Sequence, residues 1–186
     1  MNFDYILYAS AAMYIIFTIA GYFFRPVIKM KRLWLPGYKI IYTDSKIKKP
    51  HGCESGTLLK SETHNLRGKP DYVYQKGGRI VPVELKSAAV NKKSRVENDE
   101  PREGDVMQLA AYFMIVGDVY KIKPRFGYLV YSDCVYKIRN TGRLIKRLTE
   151  TINEMEAMLA GKKKAANASF VNCRHCVCRG TVCEHC

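Results

Sequence analysis

Between Asp71 and Lys86 the chain spells out two strand-forming arms separated by a Gly77-Gly78 pair. Asp71-Tyr72-Val73-Tyr74 and Arg79-Ile80-Val81-Pro82-Val83-Glu84-Leu85-Lys86 are rich in β-branched and aromatic residues. A two-glycine break between such arms is the chemistry of a tight hairpin turn. The hairpin brings Asp71 and Glu84 into one site. Because successive strand residues point to opposite faces, Glu84 and Lys86 share a face, whereas Val83 and Leu85 look toward the opposite layer. Downstream, residues 105–116 carry Val106, Leu109, Ala110, Phe113 and Val116 on a helical period. Gln108 and Tyr112, four apart on that helix, also share a face. Two carboxylates and a lysine at this spacing can hold a divalent metal against a phosphate. Taken alone, Asp71 also reads as a turn cap, and Glu84 with Lys86 as an exposed pair worth about 0.2–1 kcal/mol.

The remaining pattern predicts what surrounds that hairpin. Residues 38–43 alternate as a first strand, 44–56 form a polar loop, and 57–61 form a short strand. Residues 91–104, highly charged and without a period, read as a loop beside the site. A second hairpin, 125–131 with 135–138, turns at Ser132-Asp133. Residues 141–159 then predict an amphipathic helix, with Leu144, Ile145, Leu148, Ile152, Met155 and Leu159 toward the core. Its other face carries Arg143, Lys146 and Arg147, candidates for backbone phosphate contacts. This order predicts an α/β (α+β) domain with a mixed sheet. A length of 186 residues, 47% of them hydrophobic, suits one such domain with an appendage.

Charge and the two termini constrain partners. The formal charge of +14, from 31 basic and 17 acidic residues, favours a polyanion: nucleic acid or an anionic membrane surface. Residues 5–24 contain no charge and have the length of a bilayer-spanning helix, with tyrosines and phenylalanines crowding both ends. Arg25, Lys29, Lys31 and Arg32 follow, whereas residues 1–4 carry no Lys or Arg. The positive-inside rule therefore predicts a single-pass membrane protein with its N-terminus outside and its domain in the cytoplasm. The missing basic n-region argues against a cleaved signal peptide. Five of the seven cysteines fall in the last segment, as Cys173-x-x-Cys176-x-Cys178 and Cys183-x-x-Cys186. In a cytoplasmic tail such pairs read as metal ligands rather than disulfides, and spacing alone favours zinc. The expected divisions are a short N-terminus at 1–4, a membrane helix at 5–24, a basic linker at 25–37, the domain at 38–160, and a linker with a metal-binding tail at 161–186.

Leu66-Arg67-Gly68-Lys69-Pro70-Asp71, then Val81-Pro82-Val83-Glu84-Leu85-Lys86, then Gln108-Leu109-Ala110-Ala111-Tyr112, together resemble the PD-(D/E)XK nuclease superfamily. Within it the run is similar to the RecB-like branch, whose third motif is a helical Gln-x-x-x-Tyr. It looks most like the CRISPR-associated exonucleases of the fourth Cas family and the nuclease domain of the Dna-two helicase. The likeness extends from about residue 38 to the last residue. It implies a restriction-endonuclease-like core, a mixed central sheet flanked by helices, and cleavage of single-stranded or end-containing DNA. It implies that Asp71 and Glu84, with the Leu85 backbone carbonyl, hold Mg²⁺ or Mn²⁺, that Lys86 orients or deprotonates the attacking water, and that Gln108 and Tyr112 position the DNA backbone or the lysine. It also implies an iron–sulfur cluster, of the 4Fe–4S type, on Cys173, Cys176 and Cys183, with the fourth ligand open among Cys53, Cys178 and Cys186. Cys134, inside a hairpin, reads as a packing residue. Two other classes keep part of this pattern: a catalytically degenerate nucleic-acid-binding or assembly module, and a zinc-binding membrane adaptor.

Overall fold

The structure, a computed structural model, describes residues 13–15, 27–30, 33–44, 52–87 and 100–162. The expected membrane helix, apart from 13–15, most of the 91–104 loop and all of the C-terminal cysteine cluster lie outside the described residues. The elements in order are β1 (Val27–Met30), β2 (Lys39–Thr43), β3 (Glu54–Ser55), β4 (Leu59–Ser61), β5 (Leu66–Gly68), β6 (Tyr72–Lys76), β7 (Arg79–Leu85), α1 (Glu103–Tyr120), β8 (Phe126–Val130), β9 (Val135–Arg139) and α2 (Gly142–Leu159). The chain divides into two compact units, Met1–Ile145 and Lys146–Cys186.

Seven strands of the first unit form one sheet in the order β1-β9-β8-β7-β6-β2-β3, and β4 pairs with β5 in a separate ribbon. The β7–β8 and β2–β3 pairs are parallel and the others antiparallel, so the sheet is mixed as expected. The glycine hairpin forms in the anticipated register, with Lys76 opposite Arg79 across Gly77-Gly78. Gly77 takes φ +54°, a left-handed conformation that a tight turn needs and that a side chain would strain. The second hairpin also forms, with Val130 opposite Val135.

β7 lies in the middle of the sheet, and every residue from Ile80 to Glu84 is buried. Both of its faces are covered, which explains its nearly continuous apolar run. On one face Val81, Val83, Tyr128 and Val135 form a cluster with Met30, Leu33, Leu35, Tyr38, Tyr72, Tyr74, Phe126 and Val130 packed around it. On the other lies α1. Gly127 permits its close approach, because a Cβ there would sit 2.8 Å from the Phe113 ring and from the Pro82 carbonyl oxygen.

Three expectations need correction. Val27–Met30 falls in the stretch read as a juxtamembrane linker, yet it is an edge strand paired antiparallel with β9, so the sheet begins before residue 38. An edge strand is recruited by its distant partner, which local sequence does not reveal. Leu85 shares its strand face with Val83 but is 44% exposed, because it ends β7 beyond the packed layer. In α2, Leu148 is buried, but Met155 and Leu159 are 59% and 88% exposed. Periodicity marks which face of a helix is apolar, and says nothing of how far along the helix that face is covered.

α1 also exceeds its expected span of 105–116. It starts at Glu103, runs through Gly117 and stops at Lys121, whose φ of 55° is a left-handed helix cap. Tyr112 and Ile115, outside the expected stripe, are buried together with Leu109, Ala110, Phe113 and Val116. The helix packs on β7 and β8 and also against the β4–β5 ribbon, so two of its sides are covered.

Candidate active site

The site forms where β7 and β8 end and α1 begins. Tyr72 pairs with Val83, so one further step of the register sets Asp71 opposite Glu84. The Asp71 carbonyl accepts the Asp44 N–H and the Thr43 hydroxyl, both at 3.1 Å, which fixes its backbone to the end of β2. One of its carboxylate oxygens accepts the Leu85 N–H at 2.6 Å. The Lys86 N–H donates to the Val130 carbonyl at 2.7 Å, clamping the end of β7 to β8.

The side chains form one network. Lys86 Nζ donates to Gln108 Oε1 at 2.6 Å and to Glu84 Oε1 at 3.2 Å. Gln108 Nε2 donates to the same Glu84 oxygen at 2.8 Å and to the Tyr112 hydroxyl oxygen at 2.9 Å. The Tyr112 hydroxyl donates to the Lys69 carbonyl at 3.1 Å. Tyr112 reaches that carbonyl because Gly68 has no side chain: a Cβ there would lie 2.8 Å from the Tyr112 ring. The glycine preceding Lys69-Pro70-Asp71 is thus a packing requirement of the third motif's tyrosine.

Glu84 is the electrostatic centre of the site. It is 7% exposed, and its Oε2 is buried with no hydrogen-bond partner. Burial, and then the nearby Asp71 charge, push its carboxyl above the ordinary range, although Lys86, and more weakly the Asp71 backbone N–H, which is near but makes no hydrogen bond of good geometry, pull the other way. For Lys86, burial pulls the ammonium pKa down, but its bonds and attraction to Glu84 and Asp105 prevail and raise it. Burial pushes Tyr112 up to about 12, so it serves as a neutral hydroxyl near neutral pH.

A buried carboxylate that has one oxygen without a partner and feels the charge of a second carboxylate suits a hard cation. Leaving such an oxygen uncompensated costs about 1–3 kcal/mol or more, which a bound cation offsets. Among the described residues no three His, Cys, Asp or Glu side chains converge. The carboxylates that come together here are Asp71 and Glu84, with Asp105 held against Lys86. Carboxylate oxygens of this kind suit a hard cation such as Mg²⁺ or Mn²⁺.

All five expected side chains, Asp71, Glu84, Lys86, Gln108 and Tyr112, come together here. Two residues that the sequence reading missed join them. Asp105 Oδ1 lies 3.3 Å from Lys86 Nζ, and its Oδ2 accepts the Tyr131 hydroxyl at 2.5 Å. The available signal was the helical stripe Asp105, Gln108, Tyr112 at i, i+3 and i+7. Cys53 is half-buried in the loop before β3, where its thiol donates to the Glu54 carbonyl at 3.2 Å, and Cys134 is buried in its hairpin. Arg143, Lys146 and Arg147 are exposed, and Lys146 lies 3.9 Å from Glu150. A different basic cluster was not anticipated: Arg79, Lys123 and Arg125 line a cleft of about 250 Å³ with Gly78 and Phe126, at the beginning of β7 and β8.

Residues 31–186 match the PD-(D/E)XK nuclease superfamily, and the chain belongs to it. Over 120 residues it is 28% identical to the CRISPR-associated exonuclease Cas4 of Francisella tularensis subsp. novicida (strain U112). That alignment covers 63% of this chain and 56% of the relative, so the chain spans little more than half of that curated protein.

Proposed function

We propose that the protein is a divalent-metal-dependent DNA exonuclease that acts on single-stranded or end-containing DNA. The observation that carries this reading is the buried Glu84 oxygen without a partner, set opposite Asp71 and beside Lys86. Asp71, Glu84 and the Leu85 carbonyl would hold Mg²⁺ or Mn²⁺. Bound there, such a cation would supply a lowered pKa for the attacking water and positive charge against the phosphate. Lys86 presents an ammonium to the water and the scissile phosphate, while Gln108 aims Lys86 and Glu84 together. Tyr112 ties that glutamine to the Lys69 backbone, which fixes the α1 face against the strand that leads to Asp71.

The polyanion is gripped elsewhere. The +14 charge and the open Arg79, Lys123 and Arg125 cleft favour backbone phosphates as the ligand. We place residues 5–24 across a membrane, with the nuclease domain on the cytoplasmic side. Among the described residues no helix is long and apolar enough to cross one; residues 13–15 of that segment are helical and exposed. The tail holds a 4Fe–4S cluster on Cys173, Cys176 and Cys183 with one of Cys53, Cys178 or Cys186, and zinc is the alternative occupant.

The test is digestion of labelled single- and double-stranded DNA by anaerobically prepared protein with Mn²⁺. Wild type should degrade DNA, and Asp71→Ala and Lys86→Ala should lower the rate on the order of 10³-fold or more with the fold retained. Undiminished cleavage by both variants would remove the assignment.

A further inference from the structure

We propose that Asp105 and Tyr131 act as a positioning pair for Lys86, holding its ammonium in place independently of Glu84. This rests on the nuclease reading and adds two residues to it. A lysine ammonium has three donors. Here three acceptors surround it: Gln108 Oε1 at 2.6 Å, Glu84 Oε1 at 3.2 Å and Asp105 Oδ1 at 3.3 Å. Gln108 and Glu84 take hydrogen bonds from the ammonium, Asp105 faces it as an ion-pair partner, and the side chain keeps 20% of its surface open to a water or a phosphate.

Geometry indicates which of the three contacts yields to substrate. Glu84 Oε1 already accepts from Gln108, and Glu84 is the carboxylate whose second oxygen calls for a cation. It is the acceptor with competing obligations. Asp105 and Gln108 instead stand one turn apart at the start of α1, a long helix packed on the sheet. Asp105 is further fixed by Tyr131, which donates to its other oxygen. Tyr131 is buried, stacks edge-on against Tyr136 with ring centroids 5.7 Å apart, and donates its backbone N–H to the Cys134 carbonyl at 2.8 Å. The pair is thus a fixed support delivered by the second hairpin. It keeps the ammonium aimed when the Glu84 contact is exchanged for substrate.

A purely structural ion pair would show itself in stability alone. A positioning pair shows itself in turnover and in the mobility of Lys86. The experiment compares full-length wild type, Asp105→Asn, Tyr131→Phe and the double variant in Mn²⁺-dependent cleavage of single-stranded DNA. Asp105→Asn should lower kcat about 10–100-fold and Tyr131→Phe about threefold to tenfold, with KM and the midpoint Mn²⁺ concentration nearly unchanged. The double variant should be no slower than Asp105→Asn, because the tyrosine acts only through the aspartate. Alongside, the ¹⁵N-lysine spectrum of each metal-free protein reports whether the Lys86 ammonium is ordered. Its resonance should be sharp in wild type and broadened in both single variants. Wild-type kcat in Asp105→Asn, additive effects in the double variant, or an equally ordered Lys86 in all proteins would each overturn the proposal. If wild type fails to cleave while Lys86 still loosens in the variants, the positioning pair stands and the nuclease reading falls.

Discussion

The two ends of strands β7 and β8 use charge in opposite ways. Where the strands finish, Glu84, Lys86 and Asp105 are largely buried and bonded to one another and to Gln108. Where they begin, about 17 Å away at 3.3 Å per residue, Arg79, Lys123 and Arg125 are exposed, and none has a carboxylate partner among the described residues. Buried charges must be paired, and the pairing fixes their geometry; breaking one such pair costs about 3–5 kcal/mol. Exposed cations stay solvated and mobile, and what they offer is attraction to a polyanion. On the proposed reading, one sheet thereby carries a rigid chemical end and an adaptable binding end.

The largest effect that tests this contrast is expected from Glu84→Gln. It removes the buried charge, and cleavage should fall on the order of 10³-fold or more, with the response to Mg²⁺ or Mn²⁺ lost. The same change should flatten the pH dependence of stability. The Glu84 carboxyl is raised in the folded protein, so the native state holds that proton more tightly than the unfolded chain does. Its contribution is therefore favourable at acid pH and is lost as pH rises from the unfolded value near 4.5 through the higher folded one. Melting curves without metal should show wild type losing stability relative to Glu84→Gln as pH rises above the unfolded carboxylate value of 4.5. Mg²⁺ should restore wild type at the high-pH end only. Identical melting behaviour of the two proteins throughout would contradict the unpaired-oxygen account.

A smaller change probes how far packing enforces the chemical end. Gly68→Ala places a Cβ against the Tyr112 ring, an overpacking that should cost about 1–3 kcal/mol and lower kcat through the Tyr112–Gln108 link. Chemical denaturation and single-turnover cleavage read the two effects separately. A variant with unchanged stability and rate would show that the motif glycine serves neither.

The smallest effect on turnover belongs to the binding end. Replacing Arg79, Lys123 and Arg125 together by alanine should weaken single-stranded DNA binding on the order of tenfold near physiological salt. It should also reduce the slope of log affinity against log salt by about 2, as expected for up to three lost phosphate contacts. At saturating DNA kcat should stay at the wild-type value. A fall in kcat with unchanged affinity would reverse the roles assigned to the two ends.

The sequence carried the central hairpin in full. Gly77-Gly78, the alternating arms and the face shared by Glu84 and Lys86 are local properties, encoded within a few residues, and they appear in the structure in the anticipated register. The same holds for the Gln108–Tyr112 face, the second hairpin, and the start of α2, where Thr141 accepts the Leu144 N–H at 3.3 Å. These suffice to bring all five expected site residues together.

Tertiary structure decided the rest, because pairing partners and burial depend on residues far apart in the chain. Nothing local in Val27–Met30 names β9 as its partner. The placement of β7 at the centre of the sheet, covered on both faces, is what turns Glu84 from a candidate surface pair into a buried carboxylate with an unmet oxygen. Asp105 meets Lys86 across 19 residues of sequence, and Tyr131 meets Asp105 across 26, only because α1 crosses back over β7 and β8. Periodicity selects a face and turn residues select a reversal, but the neighbour that a face meets, and therefore the electrostatics of the site, exists only once the layers have packed.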